Sequence, residues 1–258
     1  METSYLLTQG NLTIPCVQND PEFAPPRRIV LGVHGLGGNT RDAIQESLAE
    51  EMELFDSAVF RFDLPRHGEA PESGAPLNLG ECVDSLLAVA RDARSKYPDV
   101  EDLCIFATGF GAYVTLVALE ELIQMPGTVK LVVQTPSVRM HETLLAMKRI
   151  SRATLQAMDR VTLNTSRRMD IDYSFYTELE AHNVLITHPI PMLILHGDED
   201  SYIRWEDIQN FRRINEHSKL VIIPGTSHRF LEEGAWDMVL DLTRDWFEFE
   251  QVLLCDWS

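Results

Sequence analysis

Apolar positions along the chain fall into short unbroken runs separated by stretches with helical spacing. Arg28 to Val33, Ser57 to Phe62, Leu103 to Thr108, Leu131 to Val133, Met192 to Leu195 and Leu220 to Ile223 are continuous runs of the kind that strands buried on both faces require. Ahead of them, Tyr5 to Thr8 and Leu12 to Val17 suit an antiparallel edge pair. Ile44, Leu48 and Met52 recur every four residues behind Thr40, which is placed to cap a helix. Asn78 and Glu81 form a capping pair for a helix carrying Cys82, Leu86, Val89 and Ala90. Further helical spacing joins Val114, Val117 and Leu122, then Trp205, Ile208 and Phe211 within Ser201 to Asn215, and Trp236, Val239, Leu240 and Phe247. Trp205 and Trp236 read as core residues of those helices. Strands alternating with helices predict an α/β fold with a mostly parallel, doubly wound sheet. From Pro136 to Pro189 the rhythm turns helical, with no strand (Leu144, Met147, Ile150; Leu155, Met158). This segment reads as a cap inserted into one domain: core 1–135 and 189–258, cap 136–188.

Charge sharpens that division. The chain has 258 residues and a formal net charge of -18, but Ser137 to Asp170 holds seven Lys or Arg against three acids, +4, leaving -22 elsewhere. An acidic body disfavours general binding to nucleic acid or to anionic membranes. No apolar run approaches the ~20 residues of a membrane span, and METSYLLTQG does not read as a signal peptide, so a cytoplasmic protein is expected. Cys16, Cys82, Cys104 and Cys255 lie far apart without a CxxC pair, and no HExxH, P-loop or GxGxxG stands in context. No metal or organic cofactor is implied.

The candidate chemistry lies in the loops after the strands. His34-Gly35-Leu36-Gly37-Gly38 follows the first long buried run, and Arg61-Phe62-Asp63-Leu64-Pro65-Arg66-His67-Gly68-Glu69-Ala70 follows the second. His196-Gly197-Asp198-Glu199-Asp200 follows the penultimate strand, and Gly225-Thr226-Ser227-His228-Arg229-Phe230 the last. In this order the four resemble the α/β-hydrolase family over nearly the whole chain. Among its members the sequence is most similar to serine aminopeptidase-like and feruloyl-esterase-like acyl hydrolases, with Ala70 where a Ser is usual. The resemblance implies a helical cap after the sixth strand that lids the active site. It also implies an Asp200–His228 catalytic pair and an oxyanion hole of the Leu36 and Phe110 N–H groups.

The fifth motif departs from the family. Where a strand should run into G-x-S-x-G, the chain reads Ala107-Thr108-Gly109-Phe110-Gly111, which puts Gly109 at the serine's place. Glycine offers no nucleophile, so covalent acyl-enzyme chemistry is unavailable there. In the family this motif is a sharp strand-to-helix turn, the elbow, with the nucleophile at its tip; Thr108 is a neighbouring hydroxyl, off that tip.

Three readings stay open. The chain is a weak or inactive acyl hydrolase homologue, including a non-catalytic small-ligand-binding or regulatory protein; or an enzyme whose Asp200–His228 dyad activates water on a small carbonyl substrate; or an ordinary hydrolase with its nucleophile replaced, or one using Thr108. Whether it is an enzyme is left open with them. His34 and His67 read as structural. Arg139, Arg149, Arg152 and Arg167 of the basic cap are candidates to bind an acyl or carboxylate-bearing ligand, since a guanidinium grips a carboxylate in a two-pronged fork; pairing with the acidic body is the alternative.

Overall fold

The structure, a computed structural model, describes residues 1–71, 74–164 and 168–250. Thr165, Ser166, Arg167 and Cys255 lie outside the described residues. The edge pair is β1 (Glu2–Gln9) and β2 (Leu12–Asn19), antiparallel with Gln9 opposite Leu12. Then come β3 (Arg28–Val33), α1 (Ala43–Leu54), β4 (Ser57–Phe62), α2 (Leu79–Lys96), β5 (Asp102–Thr108), α3 (Gly109–Leu122) and β6 (Thr128–Gln134). An insertion of α4 (Met140–Lys148), α5 (Arg152–Met158), β7 (Arg160–Asn164), β8 (Arg168–Asp172) and α6 (Tyr173–Ala181) precedes β9 (Met192–Gly197), α7 (Trp205–Ile214), β10 (Lys219–Ile223) and α8 (Ala235–Phe249).

The sheet order is β1-β2-β4-β3-β5-β6-β9-β10. From β4 to β10 every pairing is parallel, and β2 joins β4 antiparallel. Side chains alternate across it: Ile29, Leu31 and Val33 enter a core under α2, α3 and α7, whereas Val30, Val59 and Phe106 enter a second core under α1 and α8. Burial on both faces is why these strands are continuously apolar.

The structure differs from the pattern in four places. The insertion is not wholly helical: β7 and β8 form an antiparallel hairpin whose Val161, Leu163, Met169 and Ile171 are buried on one face. That is period-two spacing, which the mixed polar residues between them conceal. Thr40 does not cap α1, whose N-cap is Asp42; the Thr40 N–H instead donates to Asp63 Oδ1 at 2.8 Å. The helix expected from Ser201 begins at Trp205, and Trp205 is 41% exposed rather than core, while Trp236 packs only partly buried against the second core. Half of the Asn78/Glu81 pair forms: Asn78 Oδ1 accepts the Glu81 N–H, but the Glu81 carboxylate turns to Arg66.

Candidate functional site

The carboxyl ends of β3, β5, β9 and β10 bring four loops together, at the end of the sheet where open α/β folds place their sites. The end of β4 ties the first of these, the loop after β3, to the loop after β4 itself. Buried Arg61 donates to the Thr40 carbonyl at 2.8 Å, and Asp63 accepts N–H groups from Thr40 and Glu69 at 2.8 and 2.7 Å. His34 is built in with them. The Leu64 N–H donates to its Nε2 at 3.0 Å, so the proton sits on Nδ1, which donates to the Gly35 carbonyl at 2.8 Å. Burial pushes the His34 pKa down to about 4, and its ring lies 4.9 Å from that of His67. Both histidines are structural in this geometry.

At the other side, Asp200 and His228 meet across 28 residues of sequence. An ionised carboxylate only accepts, so His228 Nδ1 donates to Asp200 Oδ2 at 2.8 Å and Nε2 is left as the free acceptor. The Asp200 side chain has no exposed surface, and its Oδ1 accepts N–H groups of Tyr202 and Ile203 at 2.8 and 3.0 Å. Burial would raise its pKa. The His228 hydrogen bond and charge, with the two backbone donors, outweigh that and hold the carboxyl below its ordinary value. His228 is 25% exposed, so solvent reaches a ring whose far side is anchored.

Two neighbours have no counterpart among the candidates named from the sequence. His196 is buried with Nδ1 3.9 Å from Asp200 Oδ2, its ring stacked on Trp205, and burial lowers its pKa. The Tyr202 ring lies 5.2 Å from His228. The spacing of His196 four residues before Asp200, on a strand end, was the available signal for the first; nothing in the pattern marked Tyr202.

Gly109 opens α3 with φ +50°, a left-handed conformation that costs other residues strain. A Cβ built on it would meet one heavy atom within 4 Å beyond its chain neighbours and its own helix: His228 Nε2, at 3.7 Å. Thr108 Oγ1 lies against the loop after β3, 3.4 Å from a Cβ built on Gly35, and it does not cap α3. Phe110 lies in the first turn of α3, where N–H groups have no intrahelical carbonyl, and Leu36 is in the loop after β3. Gly111 seats that turn: a Cβ there would lie 2.4 and 2.6 Å from the carbonyl oxygens of His34 and Val33. Phe110 itself is buried, edge-on to Phe175, and Phe175 lines a cleft of about 220 Å³ with Arg66, Leu77, Glu81 and Glu178. A larger cleft, about 260 Å³, lies away from the dyad between Arg27, Phe55 and Arg244.

Of the three described candidate arginines of the insertion, Arg139 and Arg152 are engaged with acids. Arg139 meets Asp207 at 3.0 Å and Glu142 at 2.8 Å; Arg204 meets the same two acids at 2.9 Å each, closing a four-membered ring of alternating charge between α4 and α7. Arg152 pairs with Glu180 at 2.9 Å, and Arg149 is exposed at the left-handed C-cap of α4. None of the three is bonded to Asp200 or His228. Among the described residues, no group of three or more His, Cys, Asp or Glu is gathered as for a metal ion, and no helix is long and apolar enough to cross a membrane.

Comparison with known proteins gives a consistent family. A family model described as serine aminopeptidase, S33 matches residues 24–188, more than half of the chain. No curated protein sequence matches. Among solved structures, Est1E from Butyrivibrio proteoclasticus with ferulic acid bound superposes with TM-score 0.79 at 18% identity, covering 96% of this chain and 98% of that one. A putative hydrolase from Agrobacterium vitis S4 gives 0.78 at 16%, covering 95% and 97%. Mouse alpha/beta hydrolase domain-containing protein 10 gives 0.75 at 16%, covering 96% and 100%. At such identities the likeness shows the fold, the α/β-hydrolase fold.

Proposed function

Because the chain belongs to the serine aminopeptidase S33 family of α/β-hydrolases, we propose that it carries an acyl-hydrolase site whose nucleophile position is Gly109. The observation that supports this most directly is the 3.7 Å between a Cβ built on Gly109 and His228 Nε2. A serine hydroxyl one bond beyond that Cβ comes within hydrogen-bond reach of the ring, as a base and its nucleophile must. In this reading Asp200 orients His228, and the Leu36 and Phe110 N–H groups receive the carbonyl oxygen of an ester or amide. Without the hydroxyl no acyl-enzyme forms. Loss of a triad nucleophile costs about 10⁶ in turnover, with roughly 10³–10⁴ over water retained from the oxyanion hole and binding. The native chain is then a small-ligand-binding protein of weak hydrolytic activity, with the cap 136–188 as its lid and the core 1–135 and 189–258 below. Its setting is cytoplasmic, a reading that buried, unbridged Cys16, Cys82 and Cys104 favour.

The ligand is a small acyl compound. A carboxylate on it would find Arg149 the least engaged of the three cap arginines, since Arg139 and Arg152 already hold carboxylates.

Gly109→Ser tests the reading. The variant should hydrolyse p-nitrophenyl acetate and take a fluorophosphonate label on residue 109, with both lost in Gly109→Ser/His228→Ala. A folded Gly109→Ser that is neither active nor labelled overturns it. Feruloyl esters and aminoacyl anilides, compared on the active variant, divide the ester from the peptidase branch.

A further inference from the structure

The ground beside Gly109 is more specific than a missing hydroxyl. Serine differs from glycine there by two heavy atoms, Cβ and Oγ, and beyond Gly109's chain neighbours and its own helix backbone the only atom within 4 Å of the Cβ position, among the described residues, is the His228 Nε2 acceptor. The acceptor is fixed in tautomer and direction by Asp200, which has no exposed surface, while the ring itself is partly open to solvent. Thr108 Oγ1 lies against the loop after β3, 3.4 Å from a Cβ built on Gly35.

We infer that this volume is a subsite for an external nucleophile of one or two heavy atoms, so that the native chain transfers acyl groups directly to water, hydroxylamine or methanol. The inference rests on Gly109 standing at the nucleophile position. In the step, the nucleophile's lone pair forms a bond to the acyl carbon while its proton passes to His228 Nε2. The bond from the acyl carbon to the leaving oxygen then breaks, and the imidazolium returns the proton to that oxygen. No oxidant, metal or covalent enzyme intermediate takes part. The size preference is set by the two atoms displaced: hydroxylamine and methanol each have two heavy atoms, whereas N-tert-butylhydroxylamine brings four more than the serine side chain would.

The test uses phenyl acetate with the full native chain, following phenol release and acetohydroxamate formation at rising hydroxylamine, with N-tert-butylhydroxylamine in parallel. Direct transfer predicts phenol release that climbs with hydroxylamine, equal hydroxamate, and no climb with the bulky analogue. His228→Ala should lower the hydroxylamine-dependent rate about 10²-fold, the usual contribution of a general base. Gly109→Ala, whose methyl occupies the subsite, should lower it at least tenfold while the protein stays folded by circular dichroism. In Gly109→Ser the acyl group goes first to serine, so hydroxylamine should change the products without raising acylation-limited phenol release. A native rate no higher than that of His228→Ala, or Gly109→Ala as fast as the native chain, overturns the inference while an active Gly109→Ser leaves the site assignment standing. If Gly109→Ser is inert as well, the assignment falls and this inference with it.

Discussion

Replacing Gly109 by Ala isolates what the elbow's backbone costs. At φ +50° a side chain bears left-handed strain of about 1–2 kcal/mol. No steric term is added from outside the helix, because beyond its chain neighbours the new methyl meets His228 Nε2 at 3.7 Å, ordinary van der Waals contact. Restricting the unfolded chain returns about 0.4–1 kcal/mol, so the net loss is about 1 kcal/mol. For a domain of this size that is a fall in Tm of roughly 2–4 °C. Gly10 is the internal control: it turns β1 into β2 at φ +57° with nothing within 4 Å of a built Cβ. Gly10→Ala carries the same strain at a position remote in sequence from the dyad. Urea unfolding of native, Gly109→Ala and Gly10→Ala proteins should give two losses equal to within about 0.5 kcal/mol and unchanged slopes. A Gly109→Ala that is more stable than the native chain, or that costs more than about 3 kcal/mol, refutes the reasoning. The first result would mean the elbow is not strained for a side chain, and the second that something else occupies the space.

Gly111→Ala should cost about 1–3 kcal/mol by overpacking, since its Cβ would press on backbone oxygens of Val33 and His34 that cannot move alone; denaturant unfolding measures it, and a neutral result would sink the account of how α3 is seated. Arg204→Gln should open the charge ring between α4 and α7, lowering stability by up to about 1 kcal/mol at low salt. That difference should shrink as salt is raised, and proteolysis of the insertion should quicken; a difference independent of salt argues against the ring. His34, neutral in the fold with its pKa near 4 against 6.5 unfolded, binds fewer protons folded than unfolded between those values. Its contribution is therefore complete above pH 6.5 and is lost as pH falls toward 4, by about 3 kcal/mol at most. Stability measured across that window should decline less steeply in His34→Asn. The depressed Asp200 pKa acts lower still: its contribution is present above the ordinary carboxylate range and lost only as pH falls below about 4.

Much of the fold was legible because two-sided burial writes itself as continuous apolar runs, and each of the six predicted runs falls on a strand of the sheet. The dyad was legible through the order of the loops; the distance that joins Asp200 to His228 is a product of β9 and β10 lying side by side. What escaped was information held by partners instead of by patterns. Trp205 has helical spacing like a core residue, yet its ring covers His196 from outside. The arginines of the insertion announce positive charge, but only the structure shows Arg139 held by Glu142 and Asp207. The β7–β8 hairpin is short, and four apolar residues over two strands give too weak an alternation to displace a helical reading.

Asp200 has a consequence for the chain as a whole. The turn at Gly109 and the loop after β3 are held by close packing of Gly111 on the Val33 and His34 carbonyls and by neighbouring hydrogen bonds of Arg61, Asp63 and His34. A fully buried carboxylate is different. Such ionic pairs are commonly no more stabilising than an apolar replacement of the same volume, and Asp200 is held charged only by spending two backbone donors and an imidazole on it. The expense maintains one thing that an apolar pair could not, a histidine with a fixed tautomer presented to solvent. The molecule thus keeps an imidazole nitrogen permanently aimed, and its burden falls on folding, where a stability measurement of Asp200→Asn or of an apolar double replacement at Asp200 and His228 reads it directly.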